Sequence, residues 1–184
     1  MTLNTEEFSK FANSLADDAS KTSMYYFRNK IEIEVKDDKS PVTLADKETE
    51  QVLRDRIRKE YPEHGILGEE YESEKIDSEF IWVIDPIDGT RSYIAGHKDF
   101  GNLIALLHNK KPVLGIINCP AHDERWIGVK NKITKCNGKN VQTSEIRKIK
   151  DAYLFTSGLY FMEPQIKKGL ELLKEKSRYY RLGG

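Results

Sequence analysis

Hydrophobic positions change their period several times along this 184-residue chain. Between Asn4 and Phe27, the residues Phe8, Phe11, Ala12, Leu15, Ala16 and Ala19 recur every three or four positions. That spacing predicts an amphipathic helix, with Asn4 as N-cap and Glu7 three residues on. The stretch IEIEV (31–35) alternates apolar and acidic residues, as a strand with one wet face does, and KDDKS (36–40) reads as its turn. A second helix is predicted from about Thr43, where Thr43 and Asp46 form a capping pair. It runs through Val52, Leu53 and Ile57 until YPEHG stops it, and its charged face reads as solvated.

Short apolar runs then follow in series: GILG, IWVID, NLIALL, PVLGIINCP, RWIGV and KITKC, several flanking turns such as HNKK. They predict a succession of hairpins and a largely antiparallel sheet. AYLFTS reads as a further strand, EPQIKKGLELLKEK as a helix with Pro164 in its first turn, and RYYRL as a strand leading to Gly183 and Gly184. The expected class is α+β, with layers of helix on sheet. The expected division is a lobe over 1–150 and the start of a C-terminal lobe over 151–184. An ending on a strand and two glycines reads as a cut inside that lobe.

Composition narrows the partners. Thirty basic and thirty acidic side chains cancel, and no basic run with interleaved aromatics points to nucleic acid. No signal-like segment and no apolar run long enough to span a bilayer occurs, so a cytoplasmic location away from membranes is expected. Cys119 and Cys136 lack metal-ligand spacing and read as reduced bystanders. His64, His97, His108 and His122 fall in loops or turns and read as exposed, whereas Trp82 and Trp126 read as core fillers.

The chemistry concentrates in IWVIDPIDGTRSY (81–93) and in the upstream GEE. Asp85 ends an apolar strand, Pro86 has no N–H for the ladder, and Asp88-Gly89 suits a tight turn before Thr90. Glu69, Glu70, Asp85 and Asp88 place four carboxylates within twenty residues, with Arg91 as the nearby cation. Removing carboxylates from water costs several kcal/mol each unless positive charge is supplied. An all-oxygen donor set selects a hard divalent ion, Mg²⁺ first, then Mn²⁺ or Ca²⁺. Read singly, DPIDGT is also compatible with a turn carrying exposed aspartates, and GEE with a solvated acidic loop.

Taken together, SPVTLAD, GEE and WVIDPIDGT resemble the inositol monophosphatase family of Mg²⁺-dependent phosphomonoesterases, in matching order over nearly the whole chain. The resemblance implies a layered α-β-α-β-α sandwich of the sugar-phosphatase type and two or three Mg²⁺ ions in a complete site. It implies metal ligation by Glu69, Asp85, the Ile87 carbonyl and Asp88, and catalytic roles for Asp46, Thr90 and Glu69. The phosphate would face Asp88, Gly89 and Thr90, with Arg91, Gly183 and Gly184 as further substrate contacts. Arg91, FGNLIALL, PVLGIINCP, ERWIG and RLGG tilt the resemblance toward the histidinol-phosphatase branch, hence histidinol phosphate as the small-molecule substrate. Inositol monophosphate is the alternative, and a non-catalytic metal-binding remnant the alternative of another class. A further acidic motif that completes the second metal site in the family is expected beyond Gly184. A homodimer is the assembly the resemblance suggests.

Overall fold

A stripe of small and large apolar side chains, one helical turn apart, seats the first element on the sheet. The computed structural model describes residues 4–29, 33–35, 41–156 and 163–182. Helix α1 (Thr5–Tyr26) starts at Asn4, whose side-chain oxygen accepts the Glu7 N–H at 3.3 Å. It buries Phe8, Ala12, Leu15, Ala16 and Ala19, the alanines allowing close approach of the helix backbone. Strands β1 (Ile33–Val35) and β2 (Pro41–Thr43) pair antiparallel and lead into α2 (Leu44–Glu60). The turn expected over 36–40 lies outside the described residues. Thr43 and Asp46 form the expected capping box, each side chain bonded to the other's backbone N–H.

The main sheet begins with β3 (Gly65–Gly68) and β4 (Phe80–Asp88), which run parallel. After the short helix α3 (Thr90–Ile94) come β5 (Gly101–His108), β6 (Lys111–Cys119) and β7 (Glu124–Val129), then the short β8 (Lys135–Cys136) and β9 (Lys139–Asn140). The seven strands are ordered as in the chain, antiparallel from β4 onward. Asn109 and Lys110 turn the β5–β6 hairpin, both with positive φ (49° and 61°), the geometry that matches strand twist. Of KITKC only the last two residues join the sheet, and Ile133 is left exposed.

α1 and α2 pack against each other and on one face of the sheet. Leu15 from α1, Leu53 and Ile57 from α2, and Ile66, Trp82, Ile84, Ile104, Leu106 and Ile116 from β3 to β6 form a continuous core. Each large side chain buried there contributes about 1.5–3 kcal/mol. Trp82 is fully buried as expected, but Trp126 is 36 % exposed, because it stands on β7 near the sheet edge. Two histidines also differ from expectation. His64 is half-buried and stacked on Tyr61 (4.6 Å) and Phe80 (4.9 Å), and His108 stacks on Phe80 at 4.7 Å. His97 and His122 are exposed.

The chain divides into two compact units, Met1–Val141 and Gln142–Gly184. The second carries β10 (Tyr153–Thr156), α4 (Pro164–Lys176) and β11 (Tyr179–Leu182), with β10 and β11 paired in parallel. A parallel pair needs a crossover, and α4 supplies it.

Candidate metal centre

The centre is built where β4 fails to stay regular. The strand does not stop at Pro86: it continues to Asp88, while the register against β5 shifts between Asp85 and Asp88. A bulge absorbs the donor that proline lacks. The bulge is clamped from below. Asn102 Nδ2 donates to the Pro86 carbonyl at 2.7 Å, and Asn118 Nδ2 in turn donates to Asn102 Oδ1 at 2.7 Å. Ile87 is buried with Ala45, Tyr93 and Phe100, and the Tyr93 hydroxyl donates to the Ser23 carbonyl at 2.6 Å.

Gly89 adopts φ +86°, and a Cβ there would come within 2.9 Å of the Asp99 carbonyl. Glycine is therefore required for the turn into α3. Thr90 opens α3, with its hydroxyl 3.1 Å from the Ile87 carbonyl and 3.4 Å from Asp46 Oδ1. Asp46, 1 % exposed, uses its other oxygen to accept the Thr43 N–H (2.8 Å) and hydroxyl (2.5 Å). One carboxylate thus caps α2 and reaches a hydroxyl 44 residues away. Burial raises its pKa above the usual carboxylate range, the bonds from Thr43 oppose the rise, and the charge of Glu69 adds to it.

Asp85 faces the same neighbours. Its carboxyl is pushed up to about 8, by burial first, then by the charge of Glu69 and a hydrogen bond with it, then by Asp88 and Asp46. Its Oδ1 is buried and makes no hydrogen bond. Among the described residues no group of three or more His, Cys, Asp or Glu forms a ready-made metal cage. The donors nevertheless fit a hard cation: all are oxygens, and they repel one another around one buried, unsatisfied carboxylate oxygen. Asp46, Glu69, Asp85, Asp88 and Thr90 are brought together. Arg91 is exposed on the first turn of α3, and Gly183 and Gly184 lie outside the described residues.

Glu69 follows β3 on a loop held by residues that pattern reading assigned to solvent. The Glu50 carboxylate accepts the backbone N–H groups of Glu69 (3.0 Å), Glu70 (2.8 Å) and Tyr71 (3.2 Å). Arg54 Nε donates to the same carboxylate at 2.8 Å, and both side chains are at most 1 % exposed. The charged face of α2 is therefore split, and this stripe is buried. The available signal was the spacing of Asp46, Glu50 and Arg54, one turn apart on the flank of Leu53 and Ile57.

Comparison with known proteins agrees with this geometry. The profile of the Inositol monophosphatase family matches residues 4–182. The chain is 39 % identical over 173 residues to a bifunctional phosphatase, IMPL2, chloroplastic, of Arabidopsis thaliana, covering 93 % of this chain and 50 % of that protein. It is 36 % identical over 157 residues to a histidinol-phosphatase of Chlorobaculum parvum, covering 84 % and 61 %. A solved inositol monophosphatase from Zymomonas mobilis superposes with a TM-score of 0.86 at 40 % identity, covering 98 % of this chain and 70 % of that one. The chain spans about half to three fifths of the length of these curated relatives. With DPIDGT, GEE and the Asp46–Thr90 pair meeting at one place in an α+β fold shared with that structure, the chain belongs to the inositol monophosphatase family.

Proposed function

We propose that this chain carries the metal-binding part of a phosphomonoesterase that hydrolyses a small phosphate ester with water, histidinol phosphate in first place. The observation that carries the reading is the unsatisfied buried oxygen of Asp85, near Asp46, Glu69 and Asp88, with Asp46 in turn meeting the Thr90 hydroxyl. Glu69, Asp85, Asp88 and the Ile87 carbonyl would hold Mg²⁺, which when bound supplies positive charge for water activation and for the leaving oxygen. In this reading Thr90 Oγ1 accepts a proton from the attacking water while passing its own to Asp46 Oδ1, 3.4 Å away. Burial favours this transfer, because it makes Asp46 a stronger base than an exposed aspartate. The water oxygen bonds to phosphorus, the P–O ester bond breaks, the leaving alkoxide takes a proton from solvent, and Asp46 returns its proton to solvent. Gly89 and Thr90 present backbone to the phosphate, and Arg91 stands at the edge where the rest of the substrate would lie.

Inositol monophosphate is the second reading, favoured by the 40 % identity with the Zymomonas mobilis enzyme. Phosphate release from each ester, with Mg²⁺ and with a chelator, separates the two. Mg²⁺-dependent release that is faster from histidinol phosphate is the expected result. Mg²⁺ uptake without release from either ester would favour a metal-binding remnant instead.

A further inference from the structure

We propose that Glu50, backed by Arg54, is the positioning residue for Glu69. The pair fixes residues 69–71 so that the Glu69 carboxylate meets Asp85. This inference rests on the phosphatase reading above and assigns a role to residues outside the metal ligands.

Three consecutive backbone N–H groups, those of Glu69, Glu70 and Tyr71, converge on one carboxylate. Arg54 closes the loop from the other side, Nη2 donating to the Tyr71 carbonyl at 3.1 Å and Nη1 to Glu74 at 2.7 Å. Glu74 in turn pairs with Ile66 of β3 through two backbone hydrogen bonds of 2.8 Å. Gly68 completes the fit, because a Cβ there would overlap both the Glu50 carboxylate and the Arg54 guanidinium. Burying an ion pair carries a desolvation cost of several kcal/mol per ion. That cost is offset here by hydrogen bonds to a loop whose first residue carries a metal-site carboxylate. Asp46 sits one turn before Glu50 on the same helix. α2 is thus a rigid spacer that sets where Asp46 and Glu69 stand relative to each other.

The test compares the full chain with Glu50→Gln, in which a neutral amide cannot satisfy three N–H donors and Arg54 together. Exchange of the amide hydrogens of residues 69–71 should accelerate at least tenfold, and the Kd for Mg²⁺ by calorimetry should rise at least tenfold. Exchange in α2 and β4 should rise only as far as the loss of global stability accounts for. Gly68→Ala displaces Glu50 while keeping every charge, and should give the same two shifts; it decides the matter if Glu50→Gln does not fold. Arg58→Ala, which strips the half-exposed bonds to Glu74 and Asp55 and none to Glu50, should leave both readouts at wild-type values. Unchanged loop exchange, or a loosened loop with Mg²⁺ affinity within twofold of wild type, would overturn the inference. A wild-type chain that takes up no Mg²⁺ overturns the phosphatase reading itself, and that control is decided before any variant is made.

Discussion

Two carboxylates on neighbouring elements, Glu50 fully buried and Asp85 with one buried oxygen, are treated in opposite ways. Glu50 accepts four hydrogen bonds, one of them from a buried guanidinium. Asp85 has one oxygen with no partner, faces three other carboxylates, and is pushed up to about 8. The difference teaches where this fold keeps its electrostatic stress. The scaffold charge is fully satisfied within the protein, and the site charge is left for something from outside.

Breaking the unsatisfied side should give the largest effect. Asp85→Asn removes a carboxyl that burial and three neighbouring carboxylates disfavour, and a proposed metal ligand with it. Phosphate release is expected to fall about 10³-fold, while the urea midpoint of the metal-free protein rises. A variant that loses both activity and stability would mean that Asp85 is structural, and the contrast with Glu50 would collapse.

Breaking the satisfied side should show in stability first. Arg54→Ala leaves Glu50 buried without its cation, a change that typically costs about 3–5 kcal/mol. Urea unfolding measures it directly. A loss under 1 kcal/mol would show that water reaches Glu50 and that the network is weaker than its burial implies.

His64 supplies the third and smallest comparison, a half-buried ionisable group biased toward its neutral form. Its Nδ1 accepts the Trp82 indole N–H at 3.1 Å, and burial holds its pKa below the ordinary 6.5, opposed by the charge of Glu79. The folded chain therefore binds this proton less readily than the unfolded chain. Its contribution to stability is fully present above pH 6.5 and is lost as pH falls from there toward the depressed folded value. Stability measured against pH should decline more steeply in the wild type than in His64→Phe over that interval. Parallel curves would show that the ring stays accessible to protons.

Much of this arrangement could be read along the chain because its causes are local. The Asn4 and Thr43 caps depend on residues three positions on, and the α1 stripe depends on helical period alone. The Gly89 turn depends on one missing side chain, which is why DPIDGT marked the site so clearly. The fate of charge was less legible. Only their spacing beside Leu53 and Ile57 sets Glu50 and Arg54 apart from the exposed charges of α2, since the loop groups they bond lie 17 to 21 residues downstream. For the same reason Pro86 read as a strand end, although Asn102, 16 residues away, holds its carbonyl in a continuing, bulged strand. Trp82 and Trp126 look alike in sequence and differ by their distance from the sheet edge.

By itself the sequence determined helices α1, α2 and α4 and the run of hairpins, all set by short-range periodicity and backbone chemistry. The tertiary structure alone decided which charges are satisfied and which are left strained. Burial and hydrogen bonding of a charge are properties of the segments that close over it, and here those segments are α2, the loop after β3 and the bulge of β4.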